Sequence, residues 1–265
     1  MLLSEIWIYP IKSLGGIRLN EALTEEKGLQ YDRRWLIIDE NDRFVTQRFF
    51  TKMALIDVAL LEDSLKISNR LEPGNEVLVP FEPITTKPVM VTIWNDAVEA
   101  VTVSDEVDRW LSRELGQDLR LVMMPQTSIR LVDTKYAKND EFVSFADGYP
   151  YLIISQASLD NLNSRLAEPI TMTRFRPNFV ITGTMPFEED QWKKITIGDL
   201  HFEILKPCAR CVLTTINPET AEKGVEPLKT LATFRKVNNK ILFGQNVVAR
   251  DFGVVKEGDL LKVLD

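Results

Sequence analysis

Cysteine and histidine are scarce in this chain of 265 residues, which has two cysteines and one histidine. A disulfide framework needs more cysteine pairs, so the composition favours a reducing compartment. A structural zinc site needs four protein ligands, whereas Cys208, Cys211 and His201 offer at most three. A single histidine also removes most catalytic schemes that pair histidine with a serine or cysteine nucleophile.

A basic excess and long apolar runs are missing as well. The formal net charge is −7, which argues against nonspecific binding to nucleic acid or to an anionic membrane. No apolar stretch approaches the roughly 20 residues that span a bilayer, and the N-terminus does not resemble a signal peptide. Nucleotide-binding glycine loops and flavin, haem or iron–sulfur motifs are not found. We therefore expect a cytoplasmic protein with no membrane and no nucleic-acid partner.

Short β-type runs separated by turn residues make up most of the chain. Residues 34–48 predict a hairpin, and the polar stretch 125–147 predicts a loop. Capping residues and apolar spacing predict a helix over 105–115 and a second that Ser155 or Ser158 caps and that runs through 166. A third is predicted to start within 226–228 and to reach about 234. The predicted fold class is therefore mainly β with peripheral helices (α+β), in a barrel-type architecture.

The two cysteines form the motif Cys208-Ala209-Arg210-Cys211. Residues 196–205 read as a strand that Lys206-Pro207 ends, since proline cannot donate to a sheet ladder. The β-branched run 212–216 reads as a second strand. A thiolate beside fixed positive charge is a metal ligand or a redox centre. A thioredoxin-like dithiol normally precedes a helix, so the strand pattern disfavours that reading but leaves it open.

Several basic residues stand at the ends of predicted strands, where loops build sites. Lys12 and Ser13 follow the first strand, Arg33 precedes another, and Arg176 precedes the apolar run 179–182. Together with Arg210 they could form a pocket for a phosphate group in an otherwise acidic protein.

Six blocks of the sequence, in this order, resemble those of one known family: Ile8–Ser13, Asp32–Trp35, Phe175–Asn178, Cys208–Thr215, Glu226–Leu231 and Phe243–Gln245. The family is that of the MOSC-domain proteins, in the branch of the mitochondrial amidoxime-reducing component and its bacterial relatives. The resemblance covers almost the whole chain. It implies a MOSC N-terminal β-barrel-like region over 1–120 and a MOSC β-barrel domain over 121–265.

The resemblance also implies a cofactor, the molybdenum cofactor (Mo-molybdopterin). Cys211 matches the position that supplies a sulfur ligand to the metal, and Cys208 would then matter less. Asp147 matches an acidic position near the site and could deliver a proton. Gly148-Tyr149 replaces smaller hydroxyl residues, which bears on the pocket mouth and the substrate range. Six residues match positions that hold the pterin and its phosphate: Lys12, Ser13, Arg33, Arg176, Asn178 and Arg210.

The activity implied is the reduction of N-hydroxylated compounds such as amidoximes, hydroxylamines and N-hydroxylated bases. Electrons would come from a separate protein, such as a ferredoxin, a flavodoxin-type reductase or a cytochrome b5-like protein. Two alternatives use the same cysteines. One is a non-catalytic carrier of the cofactor or of sulfur, and the other is a metal-free dithiol protein that needs both thiols.

Overall fold

The computed structural model describes residues 1–137 and 139–264, and within them the chain forms nineteen strands and three α-helices. The strands of the first half are β1 (Leu2–Ile8), β2 (Ile17–Leu19), β3 (Glu21–Glu25), β4 (Gly28–Leu29), β5 (Trp35–Ile38), β6 (Ile56–Leu60), β7 (Ser64–Asn69), β8 (Glu76–Pro80), β9 (Pro88–Ile93), β10 (Asp96–Thr102) and β11 (Arg120–Met123). Those of the second half are β12 (Tyr151–Ser155), β13 (Phe179–Thr182), β14 (Lys194–Ile197), β15 (Leu200–Ala209), β16 (Lys236–Val237), β17 (Lys240–Ala249), β18 (Val254–Lys256) and β19 (Leu261–Leu264). The helices are α1 (Asp105–Leu115), α2 (Gln156–Asn163) and α3 (Leu228–Ala232). The predicted fold class, mainly β with few helices, is confirmed.

The largest sheet joins the two halves of the chain. Its strand order is β19-β14-β15-β17-β12-β13-β1-β2, with β16 paired to β17. Smaller sheets have the orders β5-β11-β10-β9, β6-β7-β8 and β18-β3-β4. The first two strands of the chain therefore complete a sheet that is otherwise built from the second half. The predicted division of the chain at residues 120 and 121 stays a prediction.

Of the two largest apolar clusters, one lies within the first half of the chain, and the other combines the second half with residues of β1, β3 and β4. The second cluster centres on aromatic side chains: Tyr151 lies 5.6 Å from Phe179 and 5.8 Å from Phe202, measured between ring centroids. All three side chains are essentially inaccessible to solvent. Burying an aromatic side chain of this size contributes about 1.5–3 kcal/mol to folding. Ile17 and Tyr31 pack against both clusters, so the halves are joined by side chains as well as by the sheet.

The three predicted helices are confirmed, and α1 shows why the sequence marks them so clearly. The Ser104 hydroxyl accepts a hydrogen bond from the Glu106 amide, and Gly116 ends the helix with φ 74°. These are the preferred residue types for the two ends of a helix. Val107, Trp110 and Leu111 form the buried face. No helix of the described residues is long and apolar enough to cross a membrane.

The strand before the cysteines differs from the prediction. Residues 194–209 form two strands joined by a turn at Gly198, and β15 continues through Pro207 instead of ending there. The pairing of β15 with β17 shifts register on both sides of Pro207. Irregularities of this kind interrupt the hydrogen-bond ladder, so a residue without an N–H group is tolerated.

The predicted strand after Cys211 is wrong. Residues Val212–Thr215 form a short 3₁₀ helix. Thr214 Oγ1 donates to the Cys211 carbonyl at 3.0 Å, and Thr215 Oγ1 donates to the Val212 carbonyl at 2.8 Å. Threonine hydroxyls can hydrogen-bond nearby backbone and so compete with sheet pairing. The β-branched composition therefore predicted the wrong local structure.

The predicted hairpin over 34–48 forms only in part. Its first strand is β5, but its second half contributes just isolated bridges, Ile38 with Phe44 and Arg43 with Thr92. The main partner of β5 is β11. The stretch 125–147 contains no named helix or strand among its described residues, as the sequence predicted.

Candidate active site

One cavity brings together the site residues that the sequence analysis predicted. Its volume is about 540 Å³, and residues from both halves of the chain line it. The eight predicted site residues all line this cavity: Lys12, Ser13, Arg33, Asp147, Arg176, Asn178, Arg210 and Cys211. Among the described residues, seven basic side chains and a single carboxylate, Asp147, line it. The cavity is therefore cationic within a protein of net charge −7.

Strand pairing explains why residues so distant in sequence meet. Because β1 and β13 are antiparallel, the end of β1 lies beside the start of β13. Lys12 and Ser13 follow β1, whereas Arg176 and Asn178 precede β13. β12 runs parallel to β13, so the loop before β12, which carries Asp147, lies at the same edge. The three loops therefore lie together at one end of these adjacent strands.

Arg33 joins this edge through a buried carboxylate. The Arg33 amide donates to the Tyr9 carbonyl at 3.0 Å, and the Tyr9 amide donates to Asp32 Oδ1 at 2.7 Å. The Arg33 guanidinium donates to Asp32 Oδ2 at 2.7 Å and to the Arg176 carbonyl at 3.0 Å. Asp32 is fully buried, so this network holds the Arg33 side chain in one position.

The Asn178 side chain makes its hydrogen bonds to other parts of the protein. Its Oδ1 accepts a hydrogen bond from the Leu152 amide at 3.1 Å, and its Nδ2 donates to the Trp7 carbonyl at 3.1 Å. The same Oδ1 is 3.4 Å from Nη1 of Arg33. Asn178 therefore ties three strands together and supports Arg33.

Three of the predicted site residues have a left-handed backbone. The φ angles are 72° for Ser13, 50° for Arg33 and 55° for Arg176. Such conformations in residues other than glycine cost about 1–3 kcal/mol each and cluster at functional sites. The surrounding hydrogen bonds and packing hold these three side chains where an extended backbone would not place them.

Tyr9 holds two arginines in place. The guanidinium carbons of Arg33 and Arg176 lie 4.3 and 4.1 Å from the centroid of its ring. Gly16 permits this ring position, because a Cβ at Gly16 would lie 2.4 Å from a ring carbon of Tyr9. Burial, and then repulsion by Arg33, lower the pKa of Arg176 to about 10. Arg176 remains charged at neutral pH, and it lies beside a second arginine, Arg33, which is itself paired with Asp32.

Lys12, Asp147 and Arg48 form the second charged group of the cavity. Lys12 Nζ donates to Asp147 Oδ1 at 2.6 Å and to the Phe145 carbonyl at 2.8 Å, and Arg48 Nη2 lies 3.2 Å from Asp147 Oδ2. Burial alone would raise the pKa of Asp147, but the charges of Lys12 and Arg48 outweigh it and hold that pKa well below its usual range. Burial lowers the pKa of Lys12 to about 8 although Asp147 opposes this shift. Lys12 can therefore gain and lose a proton near neutral pH, whereas Asp147 stays ionised.

Arg130 positions the loop that carries Asp147. Its Nη1 donates to the carbonyls of Ser144 and Ala146 at 2.8 and 2.5 Å, and its Nε donates to Asp96 at 2.8 Å. The Arg130 side chain is only 3% exposed. Hydrogen bonds to charged groups contribute about 1.5–3 kcal/mol each, so this brace fixes the loop firmly.

The two cysteines have different surroundings. Both are free thiols, half-buried at the cavity wall. The sequence suggested that Arg210 would favour the thiolate of Cys211. In the structure its Nη1 instead donates to Cys208 Sγ at 3.0 Å, and its Nη2 donates to the Phe175 carbonyl at 2.6 Å. Cys211 directly precedes the 3₁₀ helix 212–215. His201 lies elsewhere, exposed and paired with Asp251.

The sequence analysis missed several cavity residues. Arg48 and Thr46 come from the incomplete hairpin, and Val237, Asn238 and Lys240 come from the β16–β17 turn. Tyr136, Tyr149 and Lys206 form a further part of the wall. Of these residues, only Tyr149 could be noticed in the sequence, because Gly148-Tyr149 departs from the family pattern. The others lie on loops or, like Lys206 and Lys240, on strands. Tertiary contacts between residues far apart in the chain decide that they reach the cavity.

Buried nitrogens without partners show which ligand the cavity fits. Arg48 Nε, Arg176 Nη2 and Arg210 Nε are buried, and no described atom of the protein accepts a hydrogen bond from them. Leaving such donors unpaired costs about 1–3 kcal/mol each. An anionic group with several oxygen acceptors would pair with donors of this kind and with the surplus positive charge. The residues therefore fit a ligand that combines a phosphate with a group that binds thiolate.

Comparisons with known proteins point to one family. Residues 140–262 match the model of the MOSC domain, and residues 1–118 match that of the MOSC N-terminal beta barrel domain. The chain is 33% identical to mitochondrial amidoxime-reducing component 1 of Mus musculus over 281 residues, covering 98% of this chain and 82% of that protein. The human protein of the same name is 32% identical with the same coverage. A molybdenum cofactor sulfurase of Danio rerio is 30% identical, covering 91% of this chain and 31% of that protein.

Proposed function

Because this chain belongs to the MOSC-domain family, in the branch of the amidoxime-reducing components, we propose that it is a molybdenum-cofactor-dependent oxidoreductase. Its substrates would be N-hydroxylated compounds: amidoximes, hydroxylamines and N-hydroxylated bases. The observation that carries the proposal is the meeting of Cys211 with four cationic side chains of the predicted set in one cavity. The overall reaction joins an N-hydroxyl compound with two electrons and two protons, and gives the N–H compound and water.

The cofactor would be held at two points. Cys211 would be the sulfur ligand of the metal, since molybdenum prefers soft donors. Ser13, Arg33 and Arg176 would bind the phosphate, with Asn178 holding Arg33. Lys12, which is paired with Asp147, would contact the pterin and not the phosphate. When bound, the cofactor supplies two-electron redox chemistry at the metal, while the protein supplies orientation and charge. The burial of the arginines strengthens their pull on a phosphate, because few water molecules screen it.

Protons are handled by Lys12 in this proposal. The ionised Asp147 has no proton to give at neutral pH, which disfavours the role suggested for it from the sequence. Lys12 Nζ contacts Asp147 and the Phe145 carbonyl, and its pKa of about 8 suits a general acid near neutral pH. Asp147 would orient Lys12 and favour its charged form.

A separate electron-transfer protein completes the proposal. A ferredoxin, a flavodoxin-type reductase or a cytochrome b5-like protein would supply the electrons. The cytoplasmic location remains part of the proposal. Reconstitution with each donor class, and fractionation of the native cells, would test these two points.

The test compares the two cysteines in protein from a host that makes the cofactor. Elemental analysis should give about one molybdenum per chain, and a chemical reductant should support reduction of benzamidoxime. Cys211→Ser should abolish both, whereas the matched variant Cys208→Ser should retain most of each. Equal tolerance of the two changes would refute the ligand assignment. A full molybdenum content with no turnover would favour the carrier function, which the similarity to a cofactor sulfurase suggests. A need for both thiols without molybdenum would indicate a dithiol protein.

A further inference from the structure

A lysine held by two tyrosines forms a part of the cavity wall that the proposed cofactor site does not use. Lys206 Nζ lies 4.3 Å from the ring centroid of Tyr136 and 4.9 Å from that of Tyr149. All three residues line the cavity. A cation at this distance from a tyrosine ring is attracted by the electrons of the ring face. We call these three residues the tyrosine–lysine wall.

The wall presents an ammonium group whose charge is not neutralised. Within the described part of the chain, no carboxylate lies within 4.0 Å of Lys206 Nζ, whereas Lys12 Nζ is 2.6 Å from Asp147. A tyrosine ring attracts a cation, but it does not neutralise the charge as a carboxylate in an ion pair would. The Lys206 ammonium group therefore has N–H donors that no ion pair within the described residues occupies, and a ligand in the cavity can use them.

The wall stands at the cysteine side of the cavity, apart from the arginines on Tyr9. Lys206 and Cys208 are alternate residues of β15. Burial raises the pKa of the Tyr149 hydroxyl, and Asp133, Tyr136 and Cys208 add to that shift. Tyr149 and Cys208 both line the cavity. Beside Tyr149 there is open space, because a Cβ on Gly148 would meet no atom within 4 Å. A substrate that reaches the cysteine side of the cavity has room to lie against the wall.

We propose that the tyrosine–lysine wall selects N-hydroxylated substrates that carry an anionic oxygen group, a carboxylate or a phosphate, remote from the N–O bond. Lys206 would bind that group, and the tyrosines would hold Lys206 in position. This inference rests on the proposed function, since it names the substrate class of the same site. It also gives a role to Gly148-Tyr149, which the cofactor leaves unexplained.

The first experiment measures kcat/KM of the molybdenum-loaded protein for benzamidoxime, 4-carboxybenzamidoxime and 4-phosphonobenzamidoxime. We expect at least one anionic substrate to be preferred over the neutral one by about tenfold, which corresponds to about 1.4 kcal/mol. The better of the two identifies the anion. Lys206→Gln should bring this preference close to one, and Tyr149→Leu should reduce it. Lys194→Gln is the matched control, because it removes an exposed lysine of β14 outside the cavity, and it should keep the full preference.

The second experiment needs no turnover. Calorimetry measures the dissociation constant of 4-carboxybenzamide, which has no N–O bond to reduce, and benzamide is the neutral comparison. Lys206→Gln should weaken the carboxylate compound about tenfold and leave benzamide binding nearly unchanged. Thermal unfolding of each variant checks that the fold is intact.

Three outcomes separate the possible failures. An unchanged preference in Lys206→Gln, or no preference in the parent protein, overturns the wall as a substrate site. Loss of molybdenum in Lys206→Gln also overturns it, because Lys206 would then hold the cofactor. If no amidoxime is reduced but Lys206→Gln still weakens 4-carboxybenzamide, the anion site stands and the proposed reaction fails.

Discussion

Asp147→Asn removes the negative charge that faces Lys12 while it keeps the size of the side chain. Burial lowers the pKa of Lys12 to about 8, and Asp147 is the main group that opposes this shift. Arg33 and Arg130 act in the same direction as burial, and Arg48 adds another positive charge beside Asp147. Without Asp147 the ammonium form of Lys12 therefore loses the carboxylate that pairs with it and becomes less stable.

The size of the effect follows from the contact. An opposite charge at hydrogen-bond distance shifts a pKa by about 1–3 units. The Asp147 side chain is 59% exposed to the cavity, so the lower half of that range applies. The pKa of Lys12 should fall to about 6–7 in Asp147→Asn. At about pH 8 the protonated fraction of Lys12 would then drop from about one half to about one tenth or less.

The assay is the dependence of kcat/KM for benzamidoxime on pH. If Lys12 supplies a proton, the alkaline limb of the profile should move by about one to two pH units toward lower pH. Asp160→Asn, which removes an exposed carboxylate of α2, should leave the limb in place. A limb that stays where it is in Asp147→Asn, with molybdenum retained, would refute the coupling between Asp147 and Lys12.

Three further predictions follow from the same group of residues. Tyr9→Leu should lower the molybdenum content because Arg33 and Arg176 lose the ring beneath them. Tyr9→Phe should retain the metal. It should also be at least as stable as the parent protein in urea, since the buried Tyr9 hydroxyl has no partner among the described residues. Equal loss of molybdenum in Tyr9→Leu and Tyr9→Phe would contradict this prediction. Arg130→Met should lower the free energy of unfolding by about 2 kcal/mol or more, and proteolysis should then cut the loop around Asp147 faster; an uncut loop would show that the brace is dispensable. In the cofactor-free protein the pKa of Lys12 is about 8, whereas its ordinary value is 10.5. Between these two pH values the unfolded chain binds more protons than the folded protein, so the free energy of unfolding rises with pH. The rise should reach up to about 3 kcal/mol near pH 10.5. Lys12→Met should remove that rise in urea titrations; a rise that persists would assign it to another group.

The sequence predicted those features whose causes are local. Helix α1 needed only Ser104 as its cap, Gly116 at its end and apolar residues spaced between them. Four of the family blocks, Ile8–Ser13, Asp32–Trp35, Phe175–Asn178 and Cys208–Thr215, meet at one cavity because each adjoins the end of a strand. Two local cues failed, the first because a long-range contact was stronger and the second because another local interaction was. Pro207 continues a strand because β17 pairs irregularly beside it, and the run 212–216 turns because threonine hydroxyls bond the backbone.

Composition and pattern by themselves determined the fold class and the helices, and the resemblance of six sequence blocks indicated the family. Only the tertiary structure decided how the charges are shared within the site. It placed Arg48 beside Asp147, turned the Arg210 guanidinium toward Cys208, and set Lys206 between two tyrosines. The physical reason is that charge interactions and hydrogen bonds depend on distances of a few ångströms. Strand register and loop packing set those distances among residues that are far apart in the chain.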